Sequence, residues 1–357
     1  MLLSLHEVRG FRCLTEVRFE PAPGLNLVRG RNAQGKTSLL ESILFVATSK
    51  SHRTAQEREL LLHEAESFHL RTVLERRGTP VTLEANWWRG TKRFKVNGVP
   101  QQRMSDILGQ LNVVLFSPED VDIVKGGASA RRRFMDMELA QVDKGYLNAL
   151  QLYRQVLRQR NELLKRPKPD RDLLRAWEPQ FVESGRAIME SRGRFLEELA
   201  AIATETHASI GGGEALQVRY EPDVKQADQL QETLDKYLES DLRRQQTTRG
   251  PHRDDIGLFI AERPARDYGS QGQQKTAALA MRLAVVELVR QRTGEYPVLM
   301  LDEVLAELDA DRCQRLFLAI PEAVQCIATT TQLEGAPAGY AGDFASFLIE
   351  GGRLERR

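Results

Sequence analysis

A loop bracketed by glycines is the first stretch of the chain whose residue types could do chemistry. It reads Gly30-Arg31-Asn32-Ala33-Gln34-Gly35-Lys36-Thr37, which fits the pattern GxxxxGK[ST], and Ser38 follows it. Glycines let such a loop wrap a phosphate so that backbone N–H groups point inward. The lysine would reach the β- and γ-phosphates, and the threonine hydroxyl would ligate Mg²⁺. We therefore predict a nucleotide-binding loop over residues 30–38; the alternative is a glycine turn with a solvent-facing lysine.

Two consecutive carboxylates follow an apolar run near the other end of the chain. Asp302 and Glu303 come directly after Val298-Leu299-Met300-Leu301, which is typical of a buried strand. Asp302 would hold Mg²⁺ through water, and Glu303 would orient or deprotonate an attacking water. Glu303 and Lys36 are thus the predicted catalytic residues, and Thr37 and Asp302 the predicted metal ligands. The alternative is a surface Asp-Glu pair after a core strand.

A second glycine-containing segment lies 32 residues before Asp302. It reads Gly269-Ser270-Gln271-Gly272-Gln273 and opens a predicted helix over residues 271–293. Glycines and serine at a helix N-terminus can form a second phosphate-binding surface. An ordinary turn with a serine N-cap is the alternative.

The elements around these motifs are those that would position them. Residues 25–28 form an apolar strand before the loop, and residues 37–47 carry a helical apolar stripe after it. A strand, a glycine loop and a helix in this order are the context that supports a phosphate-binding loop. Further strands are predicted over 68–98, 113–116, 298–301 and 325–329.

The middle of the chain has a different texture. Residues 128–207 are mostly helix-forming, and Pro167 and Pro169 separate two long helices, which suggests an antiparallel helical arm. A strand over 216–220, a helix over 230–242 and a strand over 256–260 follow. We predict an α/β ATPase lobe formed by residues 1–125 and 250–357, with an inserted, mainly helical second lobe over 126–249.

Composition limits the possible classes of protein. The 357 residues are 41% hydrophobic and include three cysteines without a CxxC pair, which indicates a globular, reduced, cytoplasmic protein. No run of 18 apolar residues occurs, so no membrane partner is expected. The net charge is +1, and a nucleic-acid site would therefore need a local basic patch.

The local candidates for such a patch are arginines in the helical middle. Five of them could neutralise DNA phosphates without reading sequence: Arg131, Arg132, Arg133, Arg154 and Arg158. A solvated helix face explains the same residues equally well. Packing in a strand is the favoured interpretation of Trp87-Trp88, and loop anchoring or phosphate contact that of His52 and His252.

The motifs together resemble those of ATP-binding-cassette (ABC) ATPases. Ser270, Gln271, Gly272 and Gln273 are similar to the LSGGQ signature, and Leu308-Asp309 is similar to the D-loop. The resemblance implies an ABC-type ATPase head that binds ATP, with the signature of one subunit gripping the γ-phosphate held by the other. Thr329-Thr330-Thr331-Gln332 stands where that family has a switch histidine, which implies slow hydrolysis. No residue is assigned to the family's Q-loop.

A closer resemblance is to the bacterial RecF family. Its motifs are similar to segments spread over the whole chain: Phe11-Arg12, Lys50 to Arg53, Phe116 to Asp120, Arg131 to Asp136 and Gly250 to Asp255. The resemblance implies an ATP-dependent homodimeric clamp on double-stranded DNA and single-strand/double-strand junctions. It also implies action with RecR, RecO and RecA in recombinational repair. A transporter's ATPase subunit, a soluble P-loop kinase and a structural DNA-binding protein remain as alternatives.

Overall fold

The structure is a computed structural model that describes residues 1–211, 214–308, 310–331, 335, 340 and 342–357. The strands are β1 (Leu2–Phe11), β2 (Leu14–Phe19), β3 (Leu25–Arg29), β4 (Ser67–Arg76), β5 (Thr79–Trp88), β6 (Thr91–Val96), β7 (Val99–Gln101), β8 (Val113–Phe116), β9 (Leu216–Glu221), β10 (Asp255–Ile260), β11 (Arg263–Pro264), β12 (Val298–Leu301), β13 (Cys326–Thr330), β14 (Phe344–Glu350) and β15 (Arg353–Arg356). The helices are α1 (Lys36–Thr48), α2 (Asp122–Lys125), α3 (Ala128–Val142), α4 (Lys144–Leu164), α5 (Arg171–Ile210), α6 (Leu230–Arg244), α7 (Ala265–Tyr268), α8 (Gln271–Thr293) and α9 (Ala310–Ala319).

The chain forms two compact units whose boundaries differ from the predicted lobes. The first unit comprises residues 1–120 and 279–357, and the second comprises residues 121–278. Residues 250–278 were predicted in the ATPase lobe but belong to the second unit. The reason is a set of contacts within the second unit: β10 pairs along its length with β9, and Asp254 and Asp255 form ion pairs with Arg192 and Arg131.

A mixed sheet in the first unit carries the predicted phosphate loop and the Asp302–Glu303 pair. Its strand order is β15-β14-β3-β13-β12-β8, and the five strands from β14 to β8 are parallel. Every residue of β8 and β12 is buried, as expected for parallel strands covered on both faces. The strand predictions at 25–28, 113–116, 298–301 and 325–329 are confirmed to within one residue.

A second sheet of the first unit is antiparallel, with the order β2-β1-β4-β5-β6-β7. Alternate residues of β4 and β5 are buried, and their inner faces join one hydrophobic core with α1. Trp87 is part of that core, whereas Trp88 points outward and is 53% exposed. The prediction of two packed tryptophans is therefore correct for Trp87 and wrong for Trp88.

A buried histidine connects α1 to this antiparallel sheet. His6 on β1 is fully buried; its Nδ1 lies 2.8 Å from the Thr72 hydroxyl on β4 and its Nε2 lies 2.8 Å from the Ser42 hydroxyl on α1. The Ser42 hydroxyl donates to Leu39 O, so it accepts from His6 Nε2–H, and Nδ1 accepts from Thr72. Burial lowers the pKa of His6 to about 3, so the ring is neutral.

This histidine predicts a loss of stability in acid. Below pH 6.5 His6 of the unfolded chain becomes protonated, whereas His6 of the folded protein stays neutral. The contribution of His6 to the free energy of unfolding is therefore fully present above pH 6.5 and is lost as the pH falls toward 3. Between pH 7 and pH 4 the free energy of unfolding should fall by about 3 kcal/mol more in the wild type than in His6→Gln. Denaturant unfolding at both pH values measures this. Equal losses in the two proteins would contradict the assignment.

The second unit contains the predicted helical arm. Contacts along their length show that α4 and α5 run antiparallel: Leu164 packs with Leu174, the Tyr153 ring contacts the Phe181 ring, and Tyr146 accepts a hydrogen bond from Arg192. Asp170 caps α5 by accepting from the N–H groups of residues 172 and 173. The prolines thus end the first helix where the sequence predicts. No described helix of the chain is long and apolar enough to cross a membrane.

Candidate nucleotide-binding site

The glycine loop lies at the carboxyl edge of the parallel sheet. It joins β3 to α1, and β13 lies between β3 and β12. The loop follows β3, Asp302 follows β12, and Thr329 lies near the carboxyl end of β13, so all three are at the ends of adjacent strands. Ligands of open parallel sheets bind at this edge. Gly35 has φ +112°, a conformation that side chains disfavour, and a Cβ there would lie 2.7 Å from Leu14. The pattern's second glycine is therefore required by backbone geometry.

The lysine of the loop is buried, and its ammonium group contacts three oxygen atoms of the protein. Lys36 Nζ donates to the carbonyl oxygens of Gly30 at 2.7 Å and Arg31 at 2.9 Å. It also forms an ion pair with Glu303 Oε1 at 2.9 Å. The two predicted catalytic residues are thus in contact, although 267 positions separate them in the chain. A triphosphate in the loop would compete with Glu303 for this ammonium.

Asp302 lies at the centre of the site. Its Oδ1 accepts from the Thr37 hydroxyl at 3.0 Å and from the Thr329 hydroxyl at 2.7 Å. Burial raises the pKa of Asp302, and the hydrogen bonds from Thr329 and Thr37 oppose that shift. The structure therefore brings together both residues predicted to hold the metal.

Glu303 is fixed by its backbone as well as by Lys36. It has φ +55°, which is uncommon for a residue other than glycine, and its N–H donates to the Thr329 hydroxyl at 2.9 Å. The side chain remains 26% exposed. A carboxylate that faces the loop and retains access to solvent can hold a water for attack on a phosphate.

The residues around Asp302 fit a magnesium ion that is bound together with phosphates. Among the described residues, no group of three or more His, Cys, Asp or Glu could hold a metal by itself. Mg²⁺ commonly uses one or two carboxylates, waters and substrate phosphates rather than an all-protein cage. The Thr37 hydroxyl and the Asp302 carboxylate supply oxygen ligands of the kind it prefers.

Thr329 is a positioning residue that the sequence did not assign. It is fully buried and connects the carboxylate of Asp302 to the backbone N–H of Glu303. From the sequence, Thr329 is assigned only to the segment that stands in place of a switch histidine. A threonine at the end of an apolar strand was the available signal, but the neighbouring position of β13 and β12 cannot be read from the local sequence.

Replacing Thr329 by valine should loosen the site while preserving its shape. The variant leaves the Glu303 N–H without its acceptor and removes a donor to Asp302, which should lower the free energy of unfolding by roughly 2 kcal/mol. The pKa of Asp302 should rise further, since the variant lacks a hydrogen bond that lowers it. Denaturant unfolding and the magnesium dependence of nucleotide binding measure these effects. Thr329→Ser keeps the hydroxyl and is the control; a valine variant equal to it would contradict the role.

A C-terminal hairpin that the sequence analysis did not predict supports the loop. The Gly351 N–H donates to Gln34 Oε1 at 2.7 Å, and the Gly352 N–H donates to Gln34 O at 3.3 Å. A Cβ on Gly30 would lie 2.4 Å from Ile349 O, so β14 also explains the first glycine of the pattern. The turn between β14 and β15 thus fixes the conformation of the phosphate loop.

Two of the segments that resemble RecF motifs meet at a buried carboxylate of α1. Arg12 donates to both oxygens of Glu41, at 2.9 and 2.7 Å, and Ser51 Oγ lies 2.5 Å from Glu41 Oε1. Glu41 is fully buried, and Arg53 lies 3.7 Å from it. Bidentate arginine–carboxylate pairs fix geometry, so this contact holds the segments around Arg12 and Ser51 against α1. The acidic residue inside an apolar helix stripe was a signal for such a partner.

The predicted signature forms the start of α8 in the second unit. The Ser270 N–H donates to Gln273 Oε1 at 2.7 Å, and the Gln273 N–H donates to Ser270 Oγ at 3.2 Å. This reciprocal arrangement is a capping box. Gln273 Nε2 also donates to the Glu214 carboxylate. Gln271 and Ser270 are exposed, Gly272 is half-buried, and their action on a partner's nucleotide remains a prediction.

Asp309, the predicted D-loop residue, lies outside the described residues, as does Gln332. Thr329 and Thr330 are fully buried. Their place at the end of β13 is therefore known, whereas the slow hydrolysis inferred from the missing histidine remains a prediction.

Two of the predicted DNA-binding arginines make contacts within the protein. Arg131 is 5% exposed and donates to both oxygens of Asp255, at 2.6 and 2.8 Å. Arg132 is half-buried and donates to Asp254 O at 2.7 Å. The prediction of a phosphate contact is wrong for Arg131, because its buried guanidinium is already used.

The other three predicted DNA-binding arginines reach the surface. Arg133 and Arg158 are exposed. Arg154 is 53% exposed and forms an ion pair with Asp136 at 2.6 Å. Their contact with DNA remains a prediction.

His252 anchors a loop, in agreement with the favoured interpretation of it. Its Nδ1 lies 2.7 Å from the Tyr153 hydroxyl, and its Nε2 lies 3.1 Å from Thr247 O. Burial lowers its pKa to about 4, so the neutral ring accepts from Tyr153 and donates to Thr247. In the first unit, burial also lowers the pKa of His52.

Comparison with known proteins defines the class to which this fold and site belong. The model of the family described as "RecF/RecN/SMC N terminal domain" matches residues 2–336. An Smc head from Pyrococcus furiosus, bound to the C-terminal domain of ScpA, is 17% identical with a TM-score of 0.57, covers 100% of this chain and 96% of its own, and shares the fold. The predicted ABC-type ATPase head is thereby confirmed.

Closer similarities identify the family. The "DNA replication and repair protein RecF" of Staphylococcus carnosus is 40% identical over 349 residues, which are 94% of either chain. A solved structure of "the recombination mediator protein RecF-ATP in RecFOR pathway" is 33% identical, with a TM-score of 0.90 and coverage of 100% of this chain and 97% of its own. This chain belongs to the RecF family, and the resemblance seen in the sequence is confirmed.

Proposed function

We propose that this protein is an ATP-dependent DNA-binding clamp of recombinational repair. ATP drives two copies face to face on DNA, and slow hydrolysis releases them. The observation that carries the proposal is the contact of Lys36 with Glu303 beside the Thr37–Asp302 pair, at the edge of one parallel sheet. The relatives named RecF favour this function over a transporter subunit or a small-molecule kinase.

The residues at the sheet edge suit hydrolysis of ATP. The backbone N–H groups of the loop and Lys36 would hold the β- and γ-phosphates. Mg²⁺, when bound at Thr37 and Asp302, supplies a positive charge that stabilises the phosphate oxygens. Glu303 orients a water and accepts its proton as the water oxygen bonds to the γ-phosphorus and the bond to the β-phosphate oxygen breaks. ADP and inorganic phosphate are the products.

The signature residues supply the dependence of dimerisation on ATP. Ser270 and Gly272 of one copy would contact the γ-phosphate held by Lys36 of the other. Departure of the γ-phosphate then removes interactions that join the copies, which is how a nucleotide operates a switch. The function of ATP here is to keep the dimer bound to DNA and not to generate a product, so slow hydrolysis of ATP is sufficient.

The partners follow from family membership. We propose that the dimer binds double-stranded DNA and single-strand/double-strand junctions, and that it acts with RecR and RecO to load RecA at single-strand gaps. The solved relative is described as a recombination mediator in the RecFOR pathway, which supports this assignment.

Replacing Ser270 by arginine tests the shared site. The long side chain would occupy the surface that must meet the partner's phosphate, so the variant should bind ATP with wild-type affinity yet remain monomeric with ATP. Light scattering with ATP and with ADP measures the mass. Gln226→Arg, at an exposed position of the same unit, is the control. A Ser270→Arg protein that dimerises with ATP like the wild type would refute the shared site.

A further inference from the structure

The tip of the helical arm is a small, separately packed structure. Leu163 and Leu164 of α4 and Leu174 of α5 form a hydrophobic cluster, against which Leu238 and Leu242 of α6 pack. The end of α6 is fixed there by buried polar contacts as well. Arg160, which is fully buried, donates to Asp241 Oδ2 and to the Thr247 hydroxyl, both at 2.7 Å. Three chain segments are thus held side by side at one place.

Cations surround this apolar cluster. They come from the end of α4, the connecting loop, the start of α5 and the end of α6, and all are exposed. We call them the arm-tip cluster: Lys165, Arg166, Lys168, Arg171, Arg175, Arg243 and Arg244.

Most of the arm-tip cluster is not neutralised within the protein. Lys165 forms an ion pair with Glu162 at 2.8 Å, and Arg171 forms one with Glu239 at 2.7 Å; all four side chains are more than half exposed. The other five cations make no ion pair with any described residue. Asp170, the carboxylate of the connecting loop, accepts from two N–H groups at the start of α5. The tip therefore carries a net positive charge on a fixed framework.

The line of positive charge continues along α4. Arg154, Arg158 and Lys165 are spaced by four and seven residues, so they lie on one face of the helix. Two predicted DNA-binding arginines thus lie on the face of the arm that leads to the arm-tip cluster. Arg131, which is buried against Asp255, does not belong to this surface.

The chemistry of this surface fits a phosphodiester backbone. Long, flexible cations spread over several segments match phosphates that repeat along a chain, and guanidinium groups bind phosphate oxygens in pairs. The cations surround a mainly aliphatic cluster, whose one aromatic side chain, Trp177, is half-buried against it. Among the described residues, no exposed aromatic ring is interleaved with the seven cations, so the surface offers contacts to phosphates rather than a platform for stacking bases. Such contacts give affinity that depends on salt and not on sequence.

We propose that the arm-tip cluster is a docking site for the sugar-phosphate backbone of DNA. The inference rests on the proposed function, because it places one of the clamp's DNA contacts in the second unit. Among the basic residues of the helical middle, it assigns the contact to the end of the arm and not to Arg131, which is buried against Asp255.

The test replaces three cations that have no ion-pair partner among the described residues with glutamine, which is neutral and polar. Arg166→Gln/Lys168→Gln/Arg175→Gln is compared with Arg194→Gln/Lys225→Gln/Arg263→Gln, which removes three exposed cations elsewhere in the same unit. The full-length proteins are titrated with a labelled 30-base-pair duplex in the presence of ATP at several salt concentrations. ATP affinity and the unfolding transition are measured for both variants, to show that each is folded and binds nucleotide.

The arm-tip variant should bind the duplex at least tenfold more weakly near 0.1 M salt. Its plot of log affinity against log salt should be shallower by about 2.7, since each phosphate that a cation neutralises adds about 0.9 to the slope. The control variant should bind within twofold of the wild type. An arm-tip variant with wild-type affinity and slope would overturn this site while leaving the clamp intact, and would make an acidic protein the better ligand. A wild type that binds no DNA would overturn the clamp itself.

Discussion

Replacing Lys36 by alanine should weaken ATP binding about 100-fold or more. The ammonium is buried and aimed at the loop by two carbonyl oxygens, so it can form two charge-assisted hydrogen bonds to phosphates. Each such bond contributes roughly 1.5 to 3 kcal/mol, and two correspond to at least a hundredfold in affinity. The effect should be larger still because Glu303, without its ion-pair partner, would repel the incoming triphosphate. Equilibrium titration with a fluorescent ATP analogue measures the effect.

The control for this variant is a lysine at the surface of the same unit. Lys95→Ala removes a half-exposed ammonium that lies 3.8 Å from Glu84, and should leave ATP affinity unchanged. ATP-dependent dimerisation and DNA binding should disappear in the Lys36 variant and persist in the control. An affinity for ATP within twofold of wild type in Lys36→Ala would show that the loop does not hold the phosphates.

Replacing Glu303 by glutamine should stop hydrolysis while preserving ATP binding. The amide cannot accept a proton from water, so turnover should fall about 100-fold or more. The amide also no longer forms an ion pair with Lys36, so the phosphates meet less competition for the ammonium. We therefore expect ATP affinity equal to or a few-fold tighter than wild type, and a dimer that persists for longer after ATP is added. Phosphate release and light scattering over time measure the two effects.

Glu350→Gln, at an exposed position at the end of β14, is the matched control and should hydrolyse ATP normally. If Glu303→Gln hydrolysed ATP at the wild-type rate, Glu303 would not be the general base. If the same variant bound ATP more weakly than the wild type, the Lys36–Glu303 contact would instead be required for building the loop.

The phosphate loop and the Asp-Glu pair could be predicted because their chemistry is local in sequence. Each consists of a short motif at the end of an element whose hydrophobic period is clear, as for Val298 to Leu301 before Asp302. The contact between Lys36 and Glu303 was not predicted, because it depends on β3 and β12 lying in one parallel sheet with their carboxyl ends at the same edge.

The features that sequence reasoning missed depend on strand order and on distant partners. Thr329 supports the site only because β13 lies between β3 and β12. Arg131 looked available to DNA because its partner, Asp255, is 124 residues away. The same pairing explains the misplaced boundary, since Asp255 holds residues near 250 in the second unit. Contacts between residues more than a hundred positions apart produce no periodic pattern in the sequence from which they could be predicted.

Binding of a labelled single-strand/double-strand junction, at one fixed salt concentration with ATP and with ADP, tests the central claim most directly. The claim is that the nucleotide bound at the site determines the protein's affinity for DNA. It predicts that the wild type binds the junction at least tenfold more tightly with ATP than with ADP. The Lys36→Ala variant should bind the junction equally weakly with both nucleotides. Equal binding by the wild type with ATP and ADP would contradict it, because the γ-phosphate would then have no effect on the DNA-binding state.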